Sequence, residues 1–164
     1  MKPGKPLTFA TLPRDGGGPP MLVFGLPGNP ASAAVTFSLT VGPAIAVLSG
    51  RTKEEALPRR VHVTLEEAAP LDPARPEYCR AVARWAAADP GNPAAGGGWR
   101  ATRTGNQISS RLASARGANA LLEIPRGSGS IPAGSIVTAL LVGDVRGMPV
   151  RAEEGCGPTV ALHE

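Results

Sequence analysis

Apolar and polar positions divide the chain into two parts of different character. MLVFGL, at residues 21–26, is an unbroken apolar run of strand length. Such a run predicts a strand buried on both faces, as in a parallel sheet. Pro27-Gly28-Asn29-Pro30 turns the chain. The following residues 31–48 are apolar nearly all round, which predicts a buried rather than an amphipathic helix. Gly42-Pro43 is expected to kink or split that helix. Strand, turn and helix together read as one βα unit. Residues 1–20 read as polar loop, broken by Gly16-Gly17-Gly18-Pro19-Pro20.

After Gly50 the apolar segments shorten to residues 61–65, 81–85, 120–124 and 136–142. Turn signals at 88–98, 127–130 and 132–134 separate them, a spacing that predicts a small antiparallel barrel or sandwich. Residues 78–88 read two ways: their alanines favour helix, while Tyr78, Arg80, Val82 and Arg84 recur with a period of two. Residues 149–164 read as a flexible tail. A lone βα unit cannot cover both faces of its strand, so residues 1–50 are expected to be the end of a larger α/β domain.

Composition narrows the class. The 164 residues carry 17 basic and 13 acidic side chains, and 14 of the basic ones are Arg. The arginines gather loosely between Arg75 and Arg116, which points to an anionic ligand. Aromatic residues make up only 4% and are not interleaved with them, so nucleic acid is not expected. Cys79 and Cys156 have no CxxC or His/Cys cluster beside them, which argues against a metal site or a disulfide scaffold and favours a reducing compartment. No run of about 18 apolar residues is seen, so no membrane span is expected.

Four segments can carry chemistry. In GLPGNPAS, residues 25–32, Asn29 suits the helix N-cap and Pro30 the first helical position. The N–H groups of Ala31, Ser32 and Ala33, with the Ser32 hydroxyl, would then face the end of the strand, where α/β sheets bind ligands. A capped helix that binds nothing fits the same residues. MKPGKP sets Lys2 and Lys5 on a stretch stiffened by Pro3 and Pro6, with Gly4 allowing close approach, and lysine suits a compact oxyanion. RPEYCR, residues 75–80, and TGNQISSRLASAR, residues 104–116, add arginines and hydroxyls. A short helix presenting Ser110, Arg111 and Ser114 would suit an oxyanion or simply be solvated. No Ser-His-Asp set, P-loop or GxGxxG is present, and Asp72 and Asp144 lack a partner carboxylate nearby in sequence.

In this order, MKPGKPLTFA, VFGLPGNPAS, RPEYCRA and TGNQISSRLASARGANALLEIP closely resemble the C-terminal part of the molybdenum insertase family, the molybdopterin molybdotransferases. The resemblance includes the plant enzyme and the insertase domain of gephyrin and covers about residues 1–145. It implies an α/β fragment, the end of a molybdopterin-binding-like domain at 1–50, followed by a small all-β barrel at 58–147 and a tail at 148–164. It also implies that residues 78–85 form a strand.

The implied reaction transfers molybdate into adenylylated molybdopterin, forming molybdenum cofactor with release of AMP and dependence on Mg²⁺. By motif, Lys2, Lys5 and Ser32 are the implied catalytic residues. Lys2, Lys5, Pro6, Ser32, Arg80 and Ser114 are the implied molybdate ligands, the last pair belonging to a second site, and Gly28 and Asn29 are implied cofactor-binding residues. No metal ligand is assigned, because the acidic Mg²⁺ ligands are expected in an upstream part. A cytoplasmic homodimer is implied, with a molybdopterin adenylyltransferase domain or protein as a further partner. Cys79 departs from the family by replacing the histidine common before the motif's arginine. Residues 1–164 alone are expected to be inactive. Two alternatives stay open: a non-catalytic scaffold module of gephyrin type, and a basic barrel binding polyanions through Arg100, Arg103, Arg111 and Arg116.

Overall fold

The structure, a computed structural model, describes residues 1–88, 96–105, 107 and 115–144. Strands β1 (Thr8–Leu12) and β2 (Met21–Gly25) form an antiparallel hairpin, with Thr8 opposite Gly25 and Leu12 opposite Met21. This corrects two expectations: residues 8–12 are strand rather than loop, and 21–25 lie in an antiparallel pair. The hairpin does not bury β2, whose residues are alternately exposed and half-buried, and the rings of Phe9 and Phe24 meet at a tilt with centroids 5.0 Å apart.

Helix α1 (Pro30–Thr36) runs through a π-helical turn, Phe37–Val41, into α2 (Gly42–Leu48). Pro43 has no N–H and its ring would press on the carbonyl four residues back. The wider turn absorbs this: the Gly42 N–H donates to the Phe37 carbonyl, so Gly42-Pro43 does not split the helix. The hydroxyls of Thr36, Ser38 and Thr40 donate to carbonyls three or four residues back. The result is a 19-residue helix, Pro30–Leu48, of mean hydropathy 1.8. By length and composition it meets the requirement for a membrane span, against the expectation that no stretch would, although core helices meet it too. Nor is it buried throughout. Val35 packs on Leu121 and Leu140, while Ile45 and Leu48 are exposed.

A capping box between Thr52 and Glu55 starts the short helix α3 (Lys53–Ala56). Then come β3 (Arg59–Leu65), β4 (Ala69–Pro70), β5 (Glu77–Ala86), β6 (Gly98–Arg103), β7 (Ala120–Ile124), β8 (Ser130–Ile131) and β9 (Ile136–Leu141). Strands β3-β6-β5-β7-β9 close a barrel, antiparallel except for β3 and β6, while β4 and β8 pair separately. Residues 77–86, ambiguous in sequence, are strand, because their period of two puts Cys79, Ala81 and Ala83 into the barrel core. The interior is filled by Val63, Leu65, Ala81, Ala101, Leu122, Ile124 and Ala139. The Asn119 amide ties the wall together, donating to Ala83 O at 2.9 Å and accepting from Ala83 N at 2.7 Å. Trp85 and Trp99 meet edge to face across β5 and β6, at 5.7 Å and 87°.

The outer face of the same wall, with Arg80 opposite Leu121 and Leu121 opposite Leu140, lies toward α1. The barrel therefore has two packed faces: one closes on itself and the other receives the helix. The expected tail, and most of the segment 104–116, lie outside the described residues.

Candidate anion-binding site

The N-terminal segment is stitched to the start of β5. Lys2 N–H donates to Pro76 O at 2.9 Å, and Tyr78 N–H donates to Lys2 O at 2.7 Å, so Lys2 and Glu77 form a parallel bridge. Gly4 lets the segment cross α1. Its φ is +121°, and a Cβ there would sit 2.9 Å from Met1 Cε and 3.0 Å from Thr36 Cγ2.

This docking shapes an open cavity of about 490 Å³, lined from one side by Lys2–Pro6, Asn29 and Ser32. Pro70, Arg75, Glu77, Cys79, Arg103 and Gln107 line it from the barrel. Its size falls within the ~300–1,000 Å³ usual for small-molecule sites. Glu77 and Cys79 share the inward face of β5 with Ala81, and on β6 Arg103 shares the inward face with Ala101, so the cavity continues the barrel interior at its polar end.

Charge within it is uneven. Lys2 Nζ is held by Glu77 Oε2 at 3.4 Å and Asp72 Oδ2 at 3.5 Å. Asp72 is itself fixed by N–H donors from Ala74 at 2.8 Å and Arg75 at 3.2 Å. The Ala74 hydrogen bond is the largest of the effects, with Arg75 and Lys2, that hold its carboxyl below the usual carboxylate range. Lys5, by contrast, has no ion pair among the described residues and is exposed. Arg103 donates from both its backbone N–H and Nε to Glu67 Oε1, each at 3.2 Å. Burial, with help from the nearby Glu77 carboxylate, pushes the Cys79 thiol up to about 12, so Cys79 is a neutral wall of the cavity.

Of the residues singled out in the sequence, the cavity brings together Lys2, Lys5, Pro6, Asn29 and Ser32. Ser32 is 4% exposed. Asn29 occupies the N-cap position with an extended backbone but makes no side-chain cap hydrogen bond, and Pro30 follows in the first turn. The Ala33 N–H already donates to Asn29 O at 2.8 Å, so only Ala31 and Ser32 of the three expected N–H donors remain for a ligand. Gly28 is not among the lining residues, and a Cβ there would meet nothing within 4 Å.

Arg80 does not line the cavity either. Period two separates it from Cys79, placing its side chain, 2% exposed, on the outer face of β5. Burial draws its guanidinium below the ordinary arginine value. Its backbone is gripped by Gln107, whose amide accepts from Arg80 N at 2.9 Å and donates to Arg80 O at 3.0 Å. Ser114, with Asn106, Ser110 and Arg111, lies outside the described residues. Sequence reasoning missed Arg75, Glu77, Arg103 and Gln107 as lining residues. Arg75 and Glu77 stood within the RPEYCR motif, whereas Arg103 needed β6, which the apolar pattern did not reveal.

Residues 62–142 match the family described as MoeA C-terminal region (domain IV). The chain carries a MoeA C-terminal region. Over 88% of its length it is 38% identical to gephyrin of Dictyostelium discoideum, covering 21% of that protein. It is 40% identical over 76% of its length to the molybdenum cofactor synthesis protein cinnamon of Drosophila melanogaster, covering 18%. A shorter stretch, 32% of the chain, is 51% identical to molybdopterin molybdenumtransferase of a Nostoc strain, covering 12%. The chain thus spans about a fifth or less of the curated relatives it matches.

The fold is shared with two solved structures, each covered over 85% of this chain at 24% identity. A molybdenum cofactor biosynthesis protein from Pyrococcus furiosus superposes with a TM-score of 0.54 over 42% of its length, and a molybdopterin biosynthesis MoeA protein from Pyrococcus horikoshii with 0.50 over 30%. By its sequence matches, the chain belongs to a molybdenum cofactor biosynthesis family that includes MoeA and gephyrin.

Proposed function

We propose that this MoeA region supplies the molybdate-binding side of a molybdopterin molybdotransferase site, whose reaction joins molybdate to adenylylated molybdopterin and releases AMP. The observation that carries the reading is the meeting of Lys2, Lys5, Pro6 and Ser32, from two separate sequence motifs, in one cavity with Arg75 and Arg103. A tetrahedral dianion needs several converging donors and compact positive charge. Lys5 offers an ammonium not committed to a described carboxylate, and Ser32 a buried hydroxyl.

Lys2 contributes differently. Glu77 and Asp72 compensate its charge, so it orders the wall and offers a polarised N–H donor rather than net positive charge. In this scheme the protein holds the oxyanion beside the acceptor sulfurs and excludes competing orientations, with little covalent chemistry of its own. Arg80, on the outer face of β5, belongs to a separate oxyanion position, the second site that its motif implies.

Mg²⁺ does not fit the described side chains. No group of three or more His, Cys, Asp or Glu forms among them, and Glu77, which lines the cavity, is engaged with Asp72 by Lys2.

The test is a chimera in which this chain replaces the corresponding region of a full-length insertase. Lys5→Ala and Ser32→Ala are expected to lower cofactor synthesis at least tenfold with the fold intact, the scale of losing one charged hydrogen bond. Unchanged synthesis in both variants would refute the assignment.

A further inference from the structure

We propose that Arg103 is a second oxyanion-contacting residue, one that grips a tetrahedral dianion from the barrel side while Lys5 grips it from the N-terminal segment. The inference rests on the oxyanion reading of the cavity and adds a residue to it. In the sequence Arg103 figured only in a diffuse polyanion-binding face.

Arg103 ends β6 on the inward face, two positions beyond the fully buried Ala101, and so stands where the apolar barrel interior gives way to the cavity. Its guanidinium is anchored at one corner only. Nε and the backbone N–H of the same residue both donate to Glu67 Oε1, and no other ion pair engages Arg103 among the described residues. The two Nη groups, the fork that matches a tetrahedral oxyanion, remain for a ligand.

The other cations of the wall are placed less well for this. Lys2 is neutralised by two carboxylates. Arg75 is exposed and makes no ion pair among the described residues, so binding would have to order its whole side chain. Arg103 is only 21% exposed and already oriented, which makes it the pre-organised arm. A dianion held by Lys5 and Arg103 would join the N-terminal segment to the barrel, adding to the backbone stitch at Lys2.

The same chemistry would hold free molybdate or the phosphate group of an organic phosphate. The experiment titrates the full chain calorimetrically with sodium molybdate and, separately, with AMP as a phosphomonoester, at constant ionic strength. Arg103→Gln is expected to weaken binding of at least one probe by about tenfold, with an unshifted thermal transition. Loss confined to molybdate assigns the arm to the free oxyanion; loss confined to AMP assigns it to the phosphate. Arg103→Lys, which keeps charge without the fork, is expected to lie between the two and serves if the glutamine variant unfolds. If Lys5→Ala weakens binding while the Arg103 variants bind both probes as the wild type does, the proposal is overturned. If the wild type takes up neither probe, the oxyanion reading itself fails, and the role of Arg103 with it.

Discussion

The barrel and the N-terminal segment place their apolar residues differently. In the barrel, Val63, Leu65, Leu122 and Ile124 are almost wholly enclosed, and β3-β6-β5-β7-β9 close without a free edge. In the segment, Phe9 is 57% and Leu48 73% exposed, and every residue of β1 is exposed. Yet the lysines and Ser32 of the cavity sit on the less enclosed part, which reaches the barrel through the Lys2 stitch and the packing of Val35 on Leu121 and Leu140. An enclosed wall and a less enclosed one thus face each other across the cavity, so a ligand bridging them would couple its own binding to docking of the segment.

The largest break in this comparison is a matched pair of truncations. Leu122→Ala should cost about 2–5 kcal/mol of stability, as expected for a fully buried leucine, whereas Leu48→Ala should stay within about 0.5 kcal/mol. Denaturant unfolding of both variants checks this, and equal losses would contradict the contrast.

Gly4→Ala acts on the junction. Placing a side chain at φ +121°, against Met1 and Thr36, should cost about 1–3 kcal/mol and fall on docking of the segment. It should therefore weaken molybdate binding more than it shifts the main unfolding transition, a difference that calorimetry and thermal melts resolve.

The last effect concerns Cys79 and vanishes at neutral pH. Its thiol ionises near 9 when unfolded but only at about 12 in the folded chain, so below pH 9 it makes no difference to stability. Above pH 9 the unfolded state releases the proton first, and stability should fall as the pH rises toward 12. Cys79→Ala should flatten that part of a pH–stability curve, and an unchanged slope would refute the cause.

What the amino-acid pattern made legible follows the same division. β7 and β9 were readable because short apolar runs are bounded by turns such as the one at Gly134, where φ is +83°. β6 was not, since GWRATR buries only Ala101 fully and shows no apolar run. β1 was hidden for a related reason: TFATL is exposed throughout and gains its strand geometry from pairing with β2. Helix α1 was foreseen from Asn29-Pro30, but its passage through Gly42-Pro43 depends on a π-turn that no local propensity indicates. In the candidate site, motifs pointed to Lys2, Lys5 and Ser32, while the pairing of Lys2 with Asp72 and Glu77 brings together residues 70 and 75 positions apart. Neighbours in RPEYCR parted onto opposite faces of one strand, Glu77 into the cavity and Arg80 away from it.

The most direct test of the account is a crystal of the full chain soaked in tungstate, a heavier tetrahedral dianion of the same charge, and measured for anomalous scattering. A strong peak is expected in the cavity between Lys5, Ser32 and Arg103. An empty cavity at saturating tungstate, with Lys5 directed into bulk solvent, would contradict it.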